Sequence, residues 1–459
     1  MANETMVLLE KIVVPSAGAS SVTFTSIPQS YTDLKIVVSA RNDDSNSAGG
    51  LFYVGLNGVS TDLSSRVLYG YGSGVGSLSS TAASAIFGYT TSSGSTASTF
   101  GNAEIYIPNY TSSNNKSISV DAVNENNATD GRQDIVAGLW SSSSAITSVT
   151  LYSARISDGA ASGSFVQYST FYLYGIAKQG VTPTNAPAAT GGDSIVFDGT
   201  YWIHTFTSSG TFTPKKALTC DYLVVAGGAG GGSVNGATSN NGAGGGGGGG
   251  MRCTITATGG GGTLESATAV SANINYTVTV GAGGGAGANG NNSVFSTITS
   301  TAGGEGAGSA SGGQPSSGGC GGGGDFSTDF GSGTANQGYN GGKAQGAGNN
   351  GGGGGGGTGA IGNDASGTTG GNGGNGTATS ISGSSVTYGG GGGGGAGTNS
   401  SSTVGGSGGS GGGGRGGGTA GTPVAGTANT GGGGGGGRVW QSQSGAAGGS
   451  GIVIVRYAA

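Results

Sequence analysis

His204 is the only imidazole in the chain. A hydrolase triad would have to use it as its base. It lies inside the strand-like stretch YWIHTFT at 201–207, between Ile203 and Thr205, a setting that predicts a scaffold or surface residue. A histidine-rich metal site cannot form within one subunit; only copies of His204 gathered around an oligomer axis could build one. Cys220, Cys253 and Cys320 stand 33 and 67 residues apart, which gives neither a CxxC metal pair nor a disulfide framework. Two close carboxylate pairs occur, Asp43–Asp44 in RNDDS and Asp130–Asp134 in TDGRQD. Glycoside hydrolysis needs two carboxylates across a pocket, but these pairs lie in loop-like sequence and read as solvated turns. The nearest phosphate-loop match ends at Gly342–Lys343. It has Gln337 where the first glycine belongs and Ala344 where a hydroxyl would hold magnesium. The expectation is a protein that is no enzyme and has no cofactor or metal.

Contact chemistry is better represented. Phe326, Phe330, Tyr339, Tyr388 and Trp440 are scarce bulky groups among glycines. Rigid amphipathic rings make good contacts to saccharides or protein surfaces at low entropy cost. Tyr339, with Asn340 and Lys343 in a polar insertion, is the leading candidate for receptor contact, joined by Phe326, Phe330 and Tyr388. The competing reading is that these rings cover the ends of a packed glycine body.

Two dissimilar halves must position these residues. Of 113 glycines in 459 residues, 22 fall in 1–217 and 91 in 218–459. Charged residues make up 8% of the chain and the net charge is -5. No basic cluster exists, so no nucleic-acid partner is expected. No run of ~20 apolar residues exists, so membrane insertion is not expected either. The start, MANETMVLLEKIVVPSAG, has no basic n-region and does not read as a signal peptide.

Residues 1–179 read as β throughout. Candidate strands are 6–14, 20–25, 32–40, 51–56, 66–71, 103–107, 117–123, 134–140, 146–151 and 166–175, separated by Ser, Gly and Asn clusters. No stretch carries a helical apolar stripe. The expectation is an all-β protein whose first domain is an antiparallel β-sandwich or jelly roll. Residues 180–192 form a linker stiffened by Pro183 and Pro187. A glycine-rich domain follows at 193–459, entered through a hairpin at Asp198–Gly199.

Glycine runs such as 244–250 and 351–357 alternate with strand-like islands at 251–257, 273–280, 292–299, 381–388 and 451–457. Collagen is excluded, because the glycines are continuous and prolines number only 8. Ordering a glycine costs ~1–2 kcal/mol of backbone entropy, so a flexible coil is one outcome. The other is a lattice of polyglycine II helices, three residues per turn, whose bare backbones approach closely and bond to one another. Islands paired into a scaffold, with polar insertions at 286–292, 337–350 and 361–369 as loops at run ends, favour the lattice.

DYLVVAGGAGGG at 221–232 and GIVIVRY at 451–457 resemble the glycine-rich domain of tail fibres and other exposed structural proteins of tailed bacteriophages. FTSIPQSYTDLKIVVSAR at 24–41, NAEIYIPNYTSSNNKSISVDAVNENN at 102–127 and VQYSTFYLYGI at 166–176 resemble a module at the start of structural proteins of marine cyanobacterial and related phages. The resemblance implies a virion component, exposed on tail or capsid. It implies docking to other virion proteins through the N-terminal domain and homotrimeric assembly. It further implies a fibre or tip adhesin that displays loops to a host glycan or protein; the alternative is a capsid decoration or vertex appendage.

Overall fold

The computed structural model describes residues 6–46, 49–59, 61–81, 86–124, 131–155, 163–177, 186–234, 241–308, 314–325, 329–345, 350–397, 403–419, 421–438 and 443–459. Among these the fold is all-β, with no α-helix. The chain divides into two compact units. The first comprises Met1–Pro187, Asp193–Trp202 and Ala458–Ala459; the second comprises Ala188–Gly192 and Ile203–Tyr457.

In the first unit the strands are β1 Met6–Val13, β2 Ser21–Phe24, β3 Asp33–Asn42, β4 Gly50–Leu56, β5 Leu63–Tyr71, β6 Gly74–Ser80, β7 Phe87–Ser92, β8 Gly101–Ile107, β9 Lys116–Val123, β10 Arg132–Trp140, β11 Val149–Ala154 and β12 Thr170–Ile176. A broad antiparallel sheet runs β6–β5–β10–β9–β8–β3–β12–β1. A narrower one runs β2–β11–β4–β7. Strict alternation builds the interface between them: β8, GNAEIYI, buries every second residue, as a strand with one dry face must. Phe24, Phe52, Val54 and Leu151 from the narrow sheet join Ile36, Val67, Ile105, Val120 and Phe171 from the broad one in a single core. Burial of each such side chain stabilises by about 1.5–3 kcal/mol. The sandwich expectation holds. Ten strands stand where the β-rich runs placed them, although those expected at 146–151 and 166–175 begin only at Val149 and Thr170. β6 and β7 were missed, because GVGSLSS is too glycine- and serine-rich to read as strand.

In the second unit the glycine tract hangs from a small scaffold. The remaining strands are β13 Ala189–Thr190, β14 Ser194–Phe197 (which belongs to the first unit), β15 Tyr201–Phe206 (whose Tyr201 and Trp202 belong to the first unit), β16 Gly210–Pro214, β17 Leu218–Val225, β18 Met251–Cys253, β19 Thr268–Val270, β20 Tyr276–Thr279, β21 Ser293–Phe295, β22 Ile298–Ser300, β23 Thr377–Thr379, β24 Val386–Tyr388 and β25 Ile452–Ala458. β17 is antiparallel to β25 from Asp221↔Arg456 to Val225↔Ile452, and also pairs with β18 and β19. The strands that open and close the tract are thus bonded to each other. The island expected as one strand at 292–299 is instead a hairpin, β21–β22, turning at Ser296, whose φ of 56° lies in the left-handed region.

Between these strands the chain forms packed polyglycine II helices. Run 241–250 is wholly buried. Its N–H groups address three neighbours in strict rotation. Gly242, Gly245 and Gly248 donate to Asn350, Gly353 and Gly356; Ala243, Gly246 and Gly249 to Gly437, Gly434 and Gly431; Gly244, Gly247 and Gly250 to Ala307, Gly304 and Thr301, all at 2.8–3.0 Å. Its carbonyls accept from three further runs: Ala229 to Gly247, Gly323 to Gly245 and Gly392 to Gly246, each at 2.9 Å. A three-residue turn explains the rotation, since every third N–H points the same way. Six neighbours around one helix is hexagonal packing. Runs 350–358 and 389–396 are bonded in the same period-three pattern. The sequence set no α-helical or strand periodicity here. Bare backbone, whose donors and acceptors all need partners once buried, selects this arrangement.

Candidate functional site

The polar insertions are the first place where the expectation needs correction. Residues 339–345 are not a loop but a lattice run: Tyr339 N–H donates to Gly357, Gly341 to Gly331 and Gly342 to Gly354, at 3.0, 3.0 and 2.7 Å. Side chains are accommodated because this run is peripheral, with Lys343 exposed and Tyr339 and Asn340 half-buried. Likewise Gly362 and Asn363 bond into the lattice, and the turn itself is confined to Ser366–Thr369.

The candidate contact residues separate along the runs. Lys343 and Phe330 meet, with the ammonium 5.4 Å from the ring centroid. Asp364 Oδ1 accepts the Lys343 backbone N–H at 2.7 Å, fixing the lysine's backbone beside the ring. Asn340 is committed to structure, its Oδ1 accepting Gly333 N–H at 2.9 Å. Tyr339 lies towards the opposite end of the run, with its hydroxyl packed close to Gly261. Tyr388 is a correction: it is only 4% exposed and sits in β24, where its carbonyl accepts the Thr358 hydroxyl at 2.8 Å. A ring so enclosed has no face left for a receptor. Phe326 and Trp440 lie outside the described residues. Asp364 was missed, since its relation to Lys343, 21 residues away, appears only once successive runs are folded back.

The two ends of the lattice differ. At one end, turns and the strands β18, β22, β23, β24 and β25 connect the runs. At the other end the tight turns Ser366–Thr369 and Gly418–Gly421 connect runs. The pairings Gly232–Gly244, Gly244–Ala307, Gly324–Gly342 and Gly242–Asn350 place these residues together towards that end. Phe330, Lys343 and Asp364 belong to this far end.

The other chemistry-bearing residues are structural. Asp43 is paired with Arg155 at 2.6 Å and accepts Ser164 N–H at 2.8 Å. Its carboxyl is held below the usual range by those bonds, against the opposing effect of burial. Asp44 and Asp134 are fully buried, so the solvated-turn reading fails for both, while Asp130 lies outside the described residues. The cysteines are free and buried, and burial pushes the Cys220 and Cys320 thiols up to about 12. They are protonated, poor nucleophiles at neutral pH. Among the described residues no group of three or more His, Cys, Asp or Glu side chains is arranged to hold a metal, and no helix is long and apolar enough to cross a membrane.

His204 is completely buried. Its Nδ1 lies 2.7 Å from the Gly191 carbonyl, so Nδ1 carries the proton and donates; Nε2, 3.0 Å from the Tyr457 hydroxyl, accepts. Desolvation brings its pKa down to about 4, opposed by the bond to Gly191. The unfolded chain therefore binds more protons between about pH 4 and the ordinary histidine value near 6.5. Stability contributed by neutral His204 is complete above ~6.5 and falls as pH drops towards 4, by about 3 kcal/mol in all. Urea unfolding of wild type and His204→Gln across pH 4–7 checks this. The wild-type slope should be the steeper; equal slopes would refute the buried neutral imidazole.

These features define a class: an all-β protein whose second unit is a backbone-bonded glycine lattice on a β scaffold. The family model of the glycine-rich domain matches residues 207–458, more than half of the chain, and the chain belongs to that family. No curated protein and no solved structure matches it.

Proposed function

We propose that this chain is a non-enzymatic structural protein of a phage virion, a fibre or tip adhesin exposed on the particle. In this reading the glycine lattice is a stiff display body, its far end turned to a host surface glycan or protein. The first unit docks to other virion proteins. The observation that supports the reading is the backbone-bonded lattice, with Phe330, Lys343 and Asp364 gathered at the end away from the scaffold strands. Rigid presentation lowers the entropy cost of binding. The phage-like motifs at 221–232, 451–457 and in the first unit supply the virion context.

Competition tests it. Purified full-length protein should bind susceptible cells and slow phage adsorption. Phe330→Ala with Lys343→Ala should weaken cell binding by roughly tenfold, about 1.4 kcal/mol, while thermal unfolding is unchanged. Immunogold should label the tail. Capsid labelling with no cell binding would replace the adhesin role with decoration.

A further inference from the structure

A polar groove of about 480 Å³ lies beside β18, between the segment 263–266 and the turn at 335–337. Its walls are set by backbone. Gly260 and Gly261, at φ 66° and 65°, use the left-handed freedom of glycine to turn the first wall. That wall runs so close to the turn that a Cβ on Gly262 would stand 2.7 Å from Asn336 Oδ1. The side chains are fixed as well. Arg252 Nε and Nη2 donate to the two Glu265 carboxylate oxygens at 2.8 and 2.7 Å, and the Tyr222 hydroxyl donates to Glu265 Oε2 at 2.6 Å. Gln337 is clamped three times. Its backbone N–H donates to the Thr334 carbonyl and its own carbonyl accepts Met251 N–H, both at 3.0 Å, while its Oε1 accepts Thr301 N–H at 2.7 Å. Its Nε2 and the Asn336 amide have no protein partner among the described residues.

We propose that this groove is a binding site for a neutral saccharide. A sugar hydroxyl both donates and accepts, so its site must offer fixed groups of both kinds. The groove holds a guanidinium and a carboxamide as donors, a carboxylate as acceptor, and the Thr263 and Ser266 hydroxyls as either. Glu265 Oε1 takes one bond, from Arg252 Nε, and retains accepting capacity. The charges of Arg252 and Glu265 cancel across 2.7 Å, which leaves no net charge to hold a phosphate or a polyamine. An apolar ligand would cover the Gln337 amide without a hydrogen bond, which is unfavourable. Leu264, 46% exposed, supplies an apolar surface for the C–H side of a sugar ring. Because the groups are already held in place, little freedom is lost on binding. Gln337 and Lys343 stand six residues apart, roughly 19 Å at ~3.1 Å per residue. The groove is therefore separate from the Phe330–Lys343 contact and does not depend on the adhesin role.

Saturation-transfer NMR on the full chain tests this, with lactose, maltose and diacetylchitobiose as probes and glucuronic acid as the anionic control. At least one neutral disaccharide should receive saturation at millimolar concentration, and glucuronic acid should receive less. Gln337→Glu keeps the acceptor for Thr301 N–H and removes the donor. It should weaken binding of that disaccharide at least about tenfold, with melting unchanged. Thr263→Ala with Ser266→Ala, both exposed, should weaken it by a smaller factor. Phe330→Ala with Lys343→Ala should leave it intact, whatever that variant does to cell binding. No saturation of any neutral probe, stronger saturation of glucuronic acid, or binding that survives both groove variants overturns the site.

Discussion

Gly246→Val should abolish the folded second unit, whereas Gly285→Ala should leave it unchanged. A Cβ at Gly246 would stand 2.2 Å from the Ala229 carbonyl oxygen and 2.7 Å from that of Gly230. Both are backbone atoms, so no side chain can swing aside. Gly246 also donates to Gly434 and accepts from Gly392, each at 2.9 Å, and moving its run disturbs those bonds and their neighbours. Buried backbone bonds net about 0.5–1.5 kcal/mol each, and leaving one group unpaired costs ~1–3. The expected loss therefore exceeds ~4 kcal/mol, a size reserved for structural failure. At Gly285 nothing lies within 4 Å of the added carbon. Amide exchange of both variants is the measurement. Protection of 241–250 retained in Gly246→Val would disprove the backbone-bonded lattice.

The second large effect belongs to the sandwich. Arg132 holds Asp134 through Nε and Nη2 at 2.7–3.0 Å, and its guanidinium lies 4.1 Å from the Tyr69 ring centroid and 4.0 Å from that of Tyr89. The Asp134 side chain is 0% exposed. Burial raises its pKa and the Arg132 bonds pull it back. Arg132→Met strands the carboxylate, at a cost of about 3–5 kcal/mol near neutral pH. Without the guanidinium the folded carboxyl pKa climbs further above its unfolded value. The variant's stability is then best in acid and is lost as pH rises through that folded pKa. Denaturant unfolding followed by Trp140 fluorescence should show a deficit that widens from pH 5 to pH 8. A uniform loss under ~1 kcal/mol would show that the pair is not a buried anchor.

Alternation made the sandwich legible: Ile105/Ile107 and Ile118/Val120 announce their strands because one face is dry. β6 was invisible because an edge strand without a buried face needs no alternation. The lattice was legible as a kind of structure but not as a map. Its partners are set by backbone rotation in threes, and glycine carries no label saying which run it meets. Alanines refine the rule that any side chain pushes helices apart, since Ala229, Ala243, Ala307 and Ala396 are all 0% exposed inside it. Among the candidate contacts, Lys343 and Phe330 came together, while Tyr388 turned inward because a bulky ring beside a short scaffold strand is worth more buried than displayed.

The bond between β17 and β25 places Val225 opposite Ile452. Everything between those two residues is, in topological terms, a single insertion between two paired strands of one sheet. Its two ends leave the scaffold side by side, so a change of length in the tract's turns leaves the pairing of β17 with β25 in place.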